Sequence, residues 1–260
     1  MPAQANPLFD LTGQVAVVTG STRGIGRAIA EQMARQGARV VISSRRQDAC
    51  EAVAADIRAD GGQSLAQACH IGRKGELQAL VDRTLATWGR IDTLVCNASI
   101  NPYFGPSLDM SDDTWDRIID YNLRSTFWLC NMALPAMARG GGGSVIIISS
   151  VGGFQGSDKL GAYSITKAAE MQLARNIAVE WGSRNVRANC IAPGLIQTDF
   201  ARDIWADPER RARAERIAPL GRIGQPDDIA GAAVFLASNA ASFMTGQTLL
   251  IDGGRLIANR

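Results

Sequence analysis

The chain has 260 residues, of which 46% are hydrophobic and 20% charged, and its formal net charge is +2. This composition is typical of a soluble globular protein with a large core, and the small charge excludes nucleic acid and anionic membranes as expected partners. The one histidine, His70, cannot build a histidine-rich zinc centre, and a Ser-His-Asp triad would require that single residue. We therefore expect a small-molecule ligand and no metal.

The five cysteines are widely scattered and form no C-x-x-C motif, so they predict reduced, structural thiols. The first ten residues lack the basic and apolar regions of a signal peptide, and no apolar run approaches the ~18 residues of a membrane-spanning helix. The last three residues do not match a peroxisomal signal of the S-K-L type. The cytoplasm is the expected location, without a membrane partner.

Short β-rich runs alternate with helical patterns along the chain. Strands are predicted at residues 15–19, 39–43, 64–69, 93–96, 145–148, 186–191 and 247–251, and helices at residues 25–36, 47–59, 74–88, 113–137, 163–181 and 226–236. This alternation predicts an α/β fold, a Rossmann-like, doubly wound parallel sheet of about seven strands with helices on both faces. We expect one domain at residues 11–260, preceded by a flexible segment at residues 1–10.

The loop between the first strand and the first helix reads T-G-S-T-R-G-I-G. Its glycines permit a tight turn and a close backbone approach, and the helix N-terminus offers unpaired N–H groups to a pyrophosphate. Three glycines alone would be weak evidence for a dinucleotide site, but their position inside a β-α-β unit makes such a site the favoured interpretation. The predicted cofactor-binding residues of this loop are Gly20, Ser21, Thr22, Arg23, Gly24, Ile25 and Gly26.

The end of the second strand indicates which dinucleotide is bound. A site for NAD usually places an acid there to hold the adenosine ribose, but this chain has Ser44, Arg45 and Arg46, and no acid before Asp48. Two guanidinium groups, with Arg23 as a third, are suited to a 2′-phosphate. We predict NADP(H) in preference to NAD(H); solvated surface arginines are the alternative interpretation.

Tyr163 and Lys167 are four residues apart on a predicted helix, so their side chains share one face. Most such pairs are an aromatic residue beside a solvated lysine, and the spacing alone is a weak signal. An ammonium about 4 Å from the phenol is worth on the order of 4 kcal/mol at an effective dielectric near 20. That is enough to lower the pKa of the tyrosine towards 7, where it could exchange a proton.

Together these motifs resemble those of the short-chain dehydrogenase/reductase family, over essentially the whole chain. Besides the glycine loop, the matching residues are Asn97 and Ala98, Asn122, Ser150, Tyr163, Lys167, and Pro193, Gly194, Ile196 and Thr198. Ser150 matches rather than Ser149 because the serine of the family lies thirteen positions before its tyrosine.

The resemblance implies a role for each of the matching polar residues. Tyr163 would be the acid/base, while Lys167 would lower its pKa and hold the nicotinamide ribose. Ser150 would hydrogen-bond the substrate oxygen, and Asn122 would support a proton relay. The implied reaction is the reversible, NADPH-dependent reduction of a ketone or aldehyde to the alcohol.

Three residues depart from the family pattern. Ser99 replaces a glycine, Cys96 stands where asparagine is common, and His70 stands where many members have an aspartate near the adenine. The local C-H-I-G sequence is similar to that of NADPH-dependent carbonyl and retinal reductases. We therefore expect His70 and Ile71 to contact the cofactor.

The resemblance places the substrate among residues 101–109, 151–160 and 195–217, at the carboxyl ends of the strands. The aromatic and apolar residues in these segments favour an apolar or aromatic carbonyl or alcohol substrate. Residues 200–216 interleave arginines with acids, which predicts a solvated helix or a mobile lid rather than a nucleic-acid patch. The resemblance also implies a homotetramer, or a homodimer, built on the two longest helices.

Alternative functions stay open at this point. Within the family, the same residues would serve a 3-oxoacyl thioester reductase or an alcohol dehydrogenase. Outside enzymes, an NADP(H)-sensing regulatory protein could use the same fold. The full set of Asn122, Ser150, Tyr163 and Lys167 favours an enzyme, because a sensor needs no proton relay.

Overall fold

The computed structural model of the chain describes residues 7–258. Within them, strands form at Val15–Thr19 (β1), Arg39–Ser43 (β2), Gln63–Ala66 (β3), Thr93–Cys96 (β4), Gly143–Ile148 (β5), Val186–Pro193 (β6) and Thr248–Ile251 (β7). They make one seven-stranded sheet in the order β3-β2-β1-β4-β5-β6-β7, and every neighbouring pair is parallel. The predicted fold is therefore confirmed.

Helices cover both faces of this sheet. They run over Gly24–Arg35 (α1), Gln47–Ala59 (α2), Lys74–Trp88 (α3), Asp112–Ile118 (α4), Ser125–Arg139 (α5), Gly161–Trp181 (α6), Arg202–Trp205 (α7), Pro208–Ile217 (α8) and Pro226–Ala237 (α9). Buried residues of α1, α2 and α9 form the core on one face, and those of α3, α5 and α6 form the core on the other.

The strands are apolar on both sides because each side meets a helical layer. In β1, Ala16 and Val18 join one core and Val17 joins the other. The strand order reverses at β1, which pairs with β2 on one side and with β4 on the other. In open α/β sheets, ligands bind outside the carboxyl ends of the strands at such a reversal. The topology therefore puts the glycine loop after β1 at the expected binding crevice.

The structure refines two predicted elements. The helix predicted at residues 113–137 contains a π-helical turn, Ile119–Arg124, between α4 and α5. The third strand ends at Ala66 rather than at the predicted Cys69, although single backbone hydrogen bonds from Gln67 to Ile42 and from Cys69 to Ser44 continue beyond it.

The charged stretch predicted as a solvated helix or lid contains α7 and α8, and α8 buries none of its residues. The predicted flexible segment at residues 1–10 remains a prediction, because residues 1–6 lie outside the described part of the chain, as do residues 259 and 260.

Asp92 ties the amino ends of two strands together. Its carboxylate, which is 9% exposed, accepts a 2.8 Å hydrogen bond from the backbone N–H of Val15. The guanidinium of Arg90 binds the same carboxylate through Nε at 2.9 Å and Nη2 at 2.6 Å. The charged carboxylate of Asp92 is thus the hydrogen-bond acceptor for the N–H of Val15, which has little access to water.

We predict that Asp92→Ala lowers the free energy of unfolding by about 2 kcal/mol, because it leaves the N–H of Val15 without its charged acceptor. Urea unfolding followed by circular dichroism measures the change. Asp60→Ala, at the exposed end of α2, is the matched control and is expected to stay within about 0.5 kcal/mol of the parent. Equal losses in the two variants would contradict this role for Asp92.

Candidate active site

The glycine loop adopts the conformation that its sequence predicts. Gly20 has φ +66° and Gly24 has φ +55°, both in the left-handed region that favours glycine. A Cβ on Gly26 would lie 2.5 Å from Nδ2 of Asn97 and would also collide with the carbonyl oxygen of Gly20. The loop therefore reaches the start of α1 by a close backbone contact that only glycine allows.

The residue after β4 locks this loop in place. Asn97 Nδ2 donates to the carbonyl oxygens of Thr19 at 2.8 Å and Gly20 at 3.3 Å. In return, the hydroxyl of Thr19 accepts the backbone N–H groups of Asn97 at 3.0 Å and Ala98 at 3.1 Å. The predicted residues Asn97 and Ala98 thus stand beside the glycine loop.

Ser21 has a structural task within the loop. Its hydroxyl donates to the carbonyl of Val18 at 2.7 Å and accepts the N–H of Ser43 at 2.8 Å, and the residue is fully buried. These bonds join the ends of β1 and β2. Of the other loop residues, Thr22 and Ile25 are half-buried and Arg23 is exposed.

The arginines predicted to read the cofactor phosphate differ in their partners. Arg46 forms an ion pair with Asp48 at 3.0 Å, and Arg23 forms one with Asp199 at 3.4 Å. Arg45 is exposed, and its guanidinium has no hydrogen bond or ion pair among the described residues. Of the three candidates, Arg45 is the guanidinium most available to an anion at the end of β2.

Ser44, at the end of β2, lies near His70, because Ser44 is hydrogen-bonded to the residue before it, Cys69. The carbonyl of Ser44 accepts the N–H of Cys69 at 2.8 Å, and the N–H of His70 donates to Glu76 Oε2 at 2.7 Å. The imidazole of His70 meets the ring of Tyr121 edge-on, with centroids 5.3 Å apart, and its buried Nδ1 has no partner among residues 7–258. Ile71 follows, half-buried against the core.

The segment after β6 closes over the glycine loop. Gly194 N–H donates to the carbonyl of Ile251 at 2.9 Å, while Pro193 and Ile196 are buried. A Cβ on Gly24 would lie 3.1 Å from the methyl group of Thr198. The structure therefore brings this predicted segment against the predicted phosphate loop, although the two are far apart in sequence.

Tyr163, Lys167 and Ser150 meet at the carboxyl end of β5. Ser150, two residues beyond β5, lies close enough to the phenol of Tyr163 to lower its pKa, and Lys167 Nζ lies 5.4 Å from the centre of the phenol ring. Lys167 is 1% exposed, and its Nζ donates to the carbonyl of Ile148 at 3.0 Å. The hydroxyl of Ser149 donates to the carbonyl of Lys167 at 2.7 Å and so anchors the helix, whereas the hydroxyl of Ser150 accepts the N–H of Gly152 at 3.1 Å.

The acidity of Tyr163 differs from the sequence expectation. Burial raises the pKa of the phenol above its ordinary value of 10. The ammonium of Lys167 lowers it, as expected, and the nearby Ser150 lowers it further, but the carboxylate of Glu170 raises it. The expected net fall towards 7 is therefore wrong for this structure, because the prediction left out the burial of the phenol and the negative charge of Glu170.

Asn122 lies in the π-helical turn and is fully buried. Its Oδ1 accepts the N–H of Ile100 at 2.8 Å, and its Nδ2 donates to the carbonyl of Ile100 at 2.9 Å and to the hydroxyl of Thr166 at 3.3 Å. These contacts connect the loop after β4 to α6, between Tyr163 and Lys167. The side chain is an anchor here, and a part in a proton relay remains a prediction.

The short helix α7 is fastened at the same edge. Trp205 Nε1 donates to the carbonyl of Thr198 at 2.7 Å, which ties α7 to the segment after β6. The ring of Phe200, 57% exposed, packs near the ring of Tyr163 with centroids 6.2 Å apart. An aromatic side chain thus borders the candidate acid/base on its open side.

A cavity of about 130 Å³ lies next to α8. It is lined by Leu195, Ala218, Ile251 and Gly253 among others, and it includes neither Tyr163 nor Ser150. We therefore place the candidate site at the carboxyl edge of the sheet.

Among residues 7–258, no helix combines the length and apolar character needed to cross a bilayer. In the same range, no cluster of three or more His, Cys, Asp or Glu side chains is placed to hold a metal ion.

Sequence reasoning missed one charged member of the site, Glu170. Its carboxylate oxygens both lie 3.1 Å from Lys167 Nζ, and the residue is 2% exposed. The i, i+3 spacing from Lys167 was the available signal. It is a weak signal, because most such acid–lysine pairs on helices are exposed.

The chain is similar to several known dehydrogenases. The family model described as enoyl-(acyl carrier protein) reductase matches residues 20–255. Dehydrogenase/reductase SDR family member 4 of Bos taurus is 40% identical over 254 residues, which cover 98% of this chain and 90% of that protein.

Two solved structures show the same likeness in three dimensions. A 7α-hydroxysteroid dehydrogenase complexed with NADH and 7-oxo glycochenodeoxycholic acid has a TM-score of 0.92 and 38% identity, covering 96% of this chain and 98% of that one. A gluconate 5-dehydrogenase from Burkholderia cenocepacia, in complex with NADP and tartrate, has a TM-score of 0.94 and 32% identity, covering 98% of this chain and 100% of that one.

We predict that Gly26→Ala lowers the free energy of unfolding by about 1–3 kcal/mol, because the new methyl group meets the backbone of Gly20 and the side chain of Asn97. Gly231→Ala, in α9, is the matched control, because a Cβ there has no atom within 4 Å. It should be neutral or slightly stabilising, since alanine is the better helix former. Thermal unfolding compares the two variants, and equal effects would contradict the close contact.

Proposed function

The chain belongs to the short-chain dehydrogenase/reductase family, and from that premise we propose that it reduces a ketone or aldehyde to the alcohol with NADPH. The observation that carries the proposal is that Lys167 Nζ lies 5.4 Å from the centre of the Tyr163 ring and donates to the carbonyl of Ile148, two residues before Ser150, at the carboxyl end of β5. Carbonyl reduction requires the protein to supply a proton donor, a second hydroxyl and a cation beside one crevice.

The chemistry divides between cofactor and protein. When bound, NADPH supplies a hydride to the carbonyl carbon, which leaves negative charge on the oxygen. Tyr163 donates its proton to that oxygen, and Ser150 hydrogen-bonds the same atom as the charge develops. The raised pKa of Tyr163 supports this direction, because it keeps the phenol protonated at neutral pH. The positive charge of Lys167 stabilises the phenolate that forms when Tyr163 loses this proton.

The chain has suitable residues to hold a dinucleotide. The residues proposed for this are those of the glycine loop, Ser44, Arg45, Arg46, His70, Ile71, Asn97, Ala98, Tyr163, Lys167, Pro193, Gly194, Ile196 and Thr198. The left-handed glycines and the free N-terminus of α1 suit a pyrophosphate, whose negative charge the helix dipole favours. Ser21 contributes by holding the loop in shape, since its hydroxyl is engaged by Val18 and Ser43 and its backbone N–H donates to the carbonyl of Ser43 at 3.1 Å.

The preference for NADP(H) over NAD(H) rests on Arg45. One similar structure carries NADP and another NADH, so the comparisons favour neither cofactor. The guanidinium of Arg45 is exposed at the end of β2, and no carboxylate among the described residues competes for it. A 2′-phosphate would give it a charge-assisted, bidentate partner.

The proposed substrate is an apolar or aromatic carbonyl compound. Phe200 borders Tyr163, and Phe104 and Phe154, in the loops after β4 and β5, are 58% and 50% exposed. The similar 7α-hydroxysteroid dehydrogenase was solved with a 7-oxo bile acid, which also favours a large apolar ketone. We propose that residues 195–217 close over such a substrate as a lid.

Oxidation of the alcohol with NADP⁺ is the second candidate, favoured by the names of the similar dehydrogenases. It uses the same residues in reverse, with Tyr163 as the base. NADPH oxidation with a panel of ketones, aldehydes and acetoacetyl thioesters, and NADP⁺ reduction with the matching alcohols, would separate the two directions and reveal a 3-oxoacyl thioester reductase. A chain that binds NADPH but turns over none of these would favour a sensor.

A cytoplasmic location and a homotetramer are further proposals. Phe127 on α5, and Ile165 and Val179 on α6, are 48%, 51% and 85% exposed, which supports pairing through these helices. Light scattering that gave a monomer mass would contradict the assembly.

We predict that Tyr163→Phe lowers kcat for NADPH-dependent reduction by ~10²–10⁴-fold, because the variant has no proton to donate. Steady-state rates with an active ketone from the panel measure the loss. Tyr121→Phe removes a hydroxyl outside the cluster of Tyr163, Ser150 and Lys167 and is expected to stay within about twofold of the parent. Wild-type turnover in Tyr163→Phe would refute the proposed chemistry.

We predict that Arg45→Ala raises the Kd for NADPH by about 10-fold or more and leaves the Kd for NADH nearly unchanged, because only NADPH carries the 2′-phosphate. Fluorescence titration of each cofactor measures both constants. Arg35→Ala removes an exposed arginine from the opposite end of α1 and is the matched control. An unaltered NADPH affinity in Arg45→Ala would refute the assignment.

A further inference from the structure

We propose that Glu170 is a positioning residue of the reaction: it holds the ammonium of Lys167 and offsets the positive charge that Lys167 presents to Tyr163, and so sets the pH at which Tyr163 changes from acid to base. The inference rests on the proposed function, which makes Tyr163 the proton donor. It adds a residue that the family motif in this chain does not contain.

The geometry of the pair carries the first part of the proposal. Lys167 and Glu170 are 1% and 2% exposed and lie one turn apart on α6. Both carboxylate oxygens lie 3.1 Å from Nζ, and the carbonyl of Ile148 lies 3.0 Å from it. An ammonium has three N–H groups, so these three acceptors determine where it stands.

The charges around the pair carry the second part. The titratable groups that face Glu170 are Lys167 and Tyr163 on its own helix, the thiol of Cys190 on β6 and the thiol of Cys96 on β4. Burial raises the pKa of the Cys190 thiol, and the contact with Cys130 together with burial raises that of Cys96, so both thiols are neutral near pH 7. The carboxylate therefore balances one buried cation, Lys167.

The effect on the two partners is mutual. Burial by itself lowers the pKa of Lys167, but Glu170, together with Tyr163, more than offsets this and keeps the lysine charged. Burial raises the pKa of Glu170 to about 7, and the ammonium of Lys167 opposes that rise. Above pH 7, where Glu170 is ionised, the pair carries almost no net charge and attracts the phenolate of Tyr163 less than Lys167 alone would.

The sign of the expected change follows from these charges. Glu170→Gln keeps the shape and a hydrogen-bond acceptor but removes the negative charge. Lys167 is then uncompensated and stabilises the phenolate of Tyr163 more strongly. The midpoint for ionisation of Tyr163 should fall by about one pH unit.

The test measures this midpoint directly and needs no substrate. The chain has three tyrosines, so labelling with [¹³Cζ]tyrosine gives three resonances, and Tyr163→Phe identifies the one that belongs to Tyr163. Its chemical shift is followed from pH 6 upward in the wild type, in Glu170→Gln and in Glu180→Gln. Glu180 is exposed on the same helix, so its variant makes the same charge change away from Lys167.

The expected result is a lower midpoint in Glu170→Gln and an unchanged one in Glu180→Gln. Glu170→Asp keeps the charge at a shorter reach and should fall between wild type and Gln; if the Gln variant does not fold, the Asp variant carries the comparison. An unchanged or higher midpoint in Glu170→Gln, or an equal fall in Glu180→Gln, would overturn the proposal. A wrong proposed function would show itself in a different experiment, as wild-type turnover in Tyr163→Phe.

Discussion

The buried charge of Lys167 is the constraint on which the candidate site depends. An ammonium that is 1% exposed needs hydrogen-bond acceptors and a compensating charge. The carbonyl of Ile148 and the carboxylate of Glu170 supply them, and the first of these fastens α6 to the end of β5. Because Tyr163 lies one turn before Lys167 on that helix, the same contacts hold its phenol beside Ser150.

The other half of the site depends on close backbone contact. Gly26 stands so near to Gly20 and Asn97 that no side chain fits between them, and Asn97 bonds the carbonyls that end β1. The loop thereby ends at the N-terminus of α1, where a pyrophosphate finds unpaired N–H groups. Parallel strands bring the phosphate loop and the tyrosine to one edge, because all their carboxyl ends point the same way.

Periodicity predicted the strands and helices well, because each strand is buried on both faces and each long helix has one buried stripe. The bounds of α2 and α3 agree with the prediction to the residue. The π-helical turn at Ile119–Arg124 was not predicted, since one extra residue in a helical turn hardly alters the pattern of apolar residues. That turn places Asn122 between Ile100 and Thr166, a contact that depends on three segments distant in sequence.

The sequence by itself determined the family, the phosphate loop and the set Ser150, Tyr163 and Lys167, because turn geometry and helical spacing act over a few residues. Only the tertiary structure decided the electrostatics. It paired Arg46 with Asp48 and left Arg45 exposed. It also buried the phenol of Tyr163 and set Glu170 against Lys167, so that the pKa of Tyr163 is raised rather than lowered. Charge–charge energies depend on burial and on which distant side chains converge, and neither is readable from local spacing.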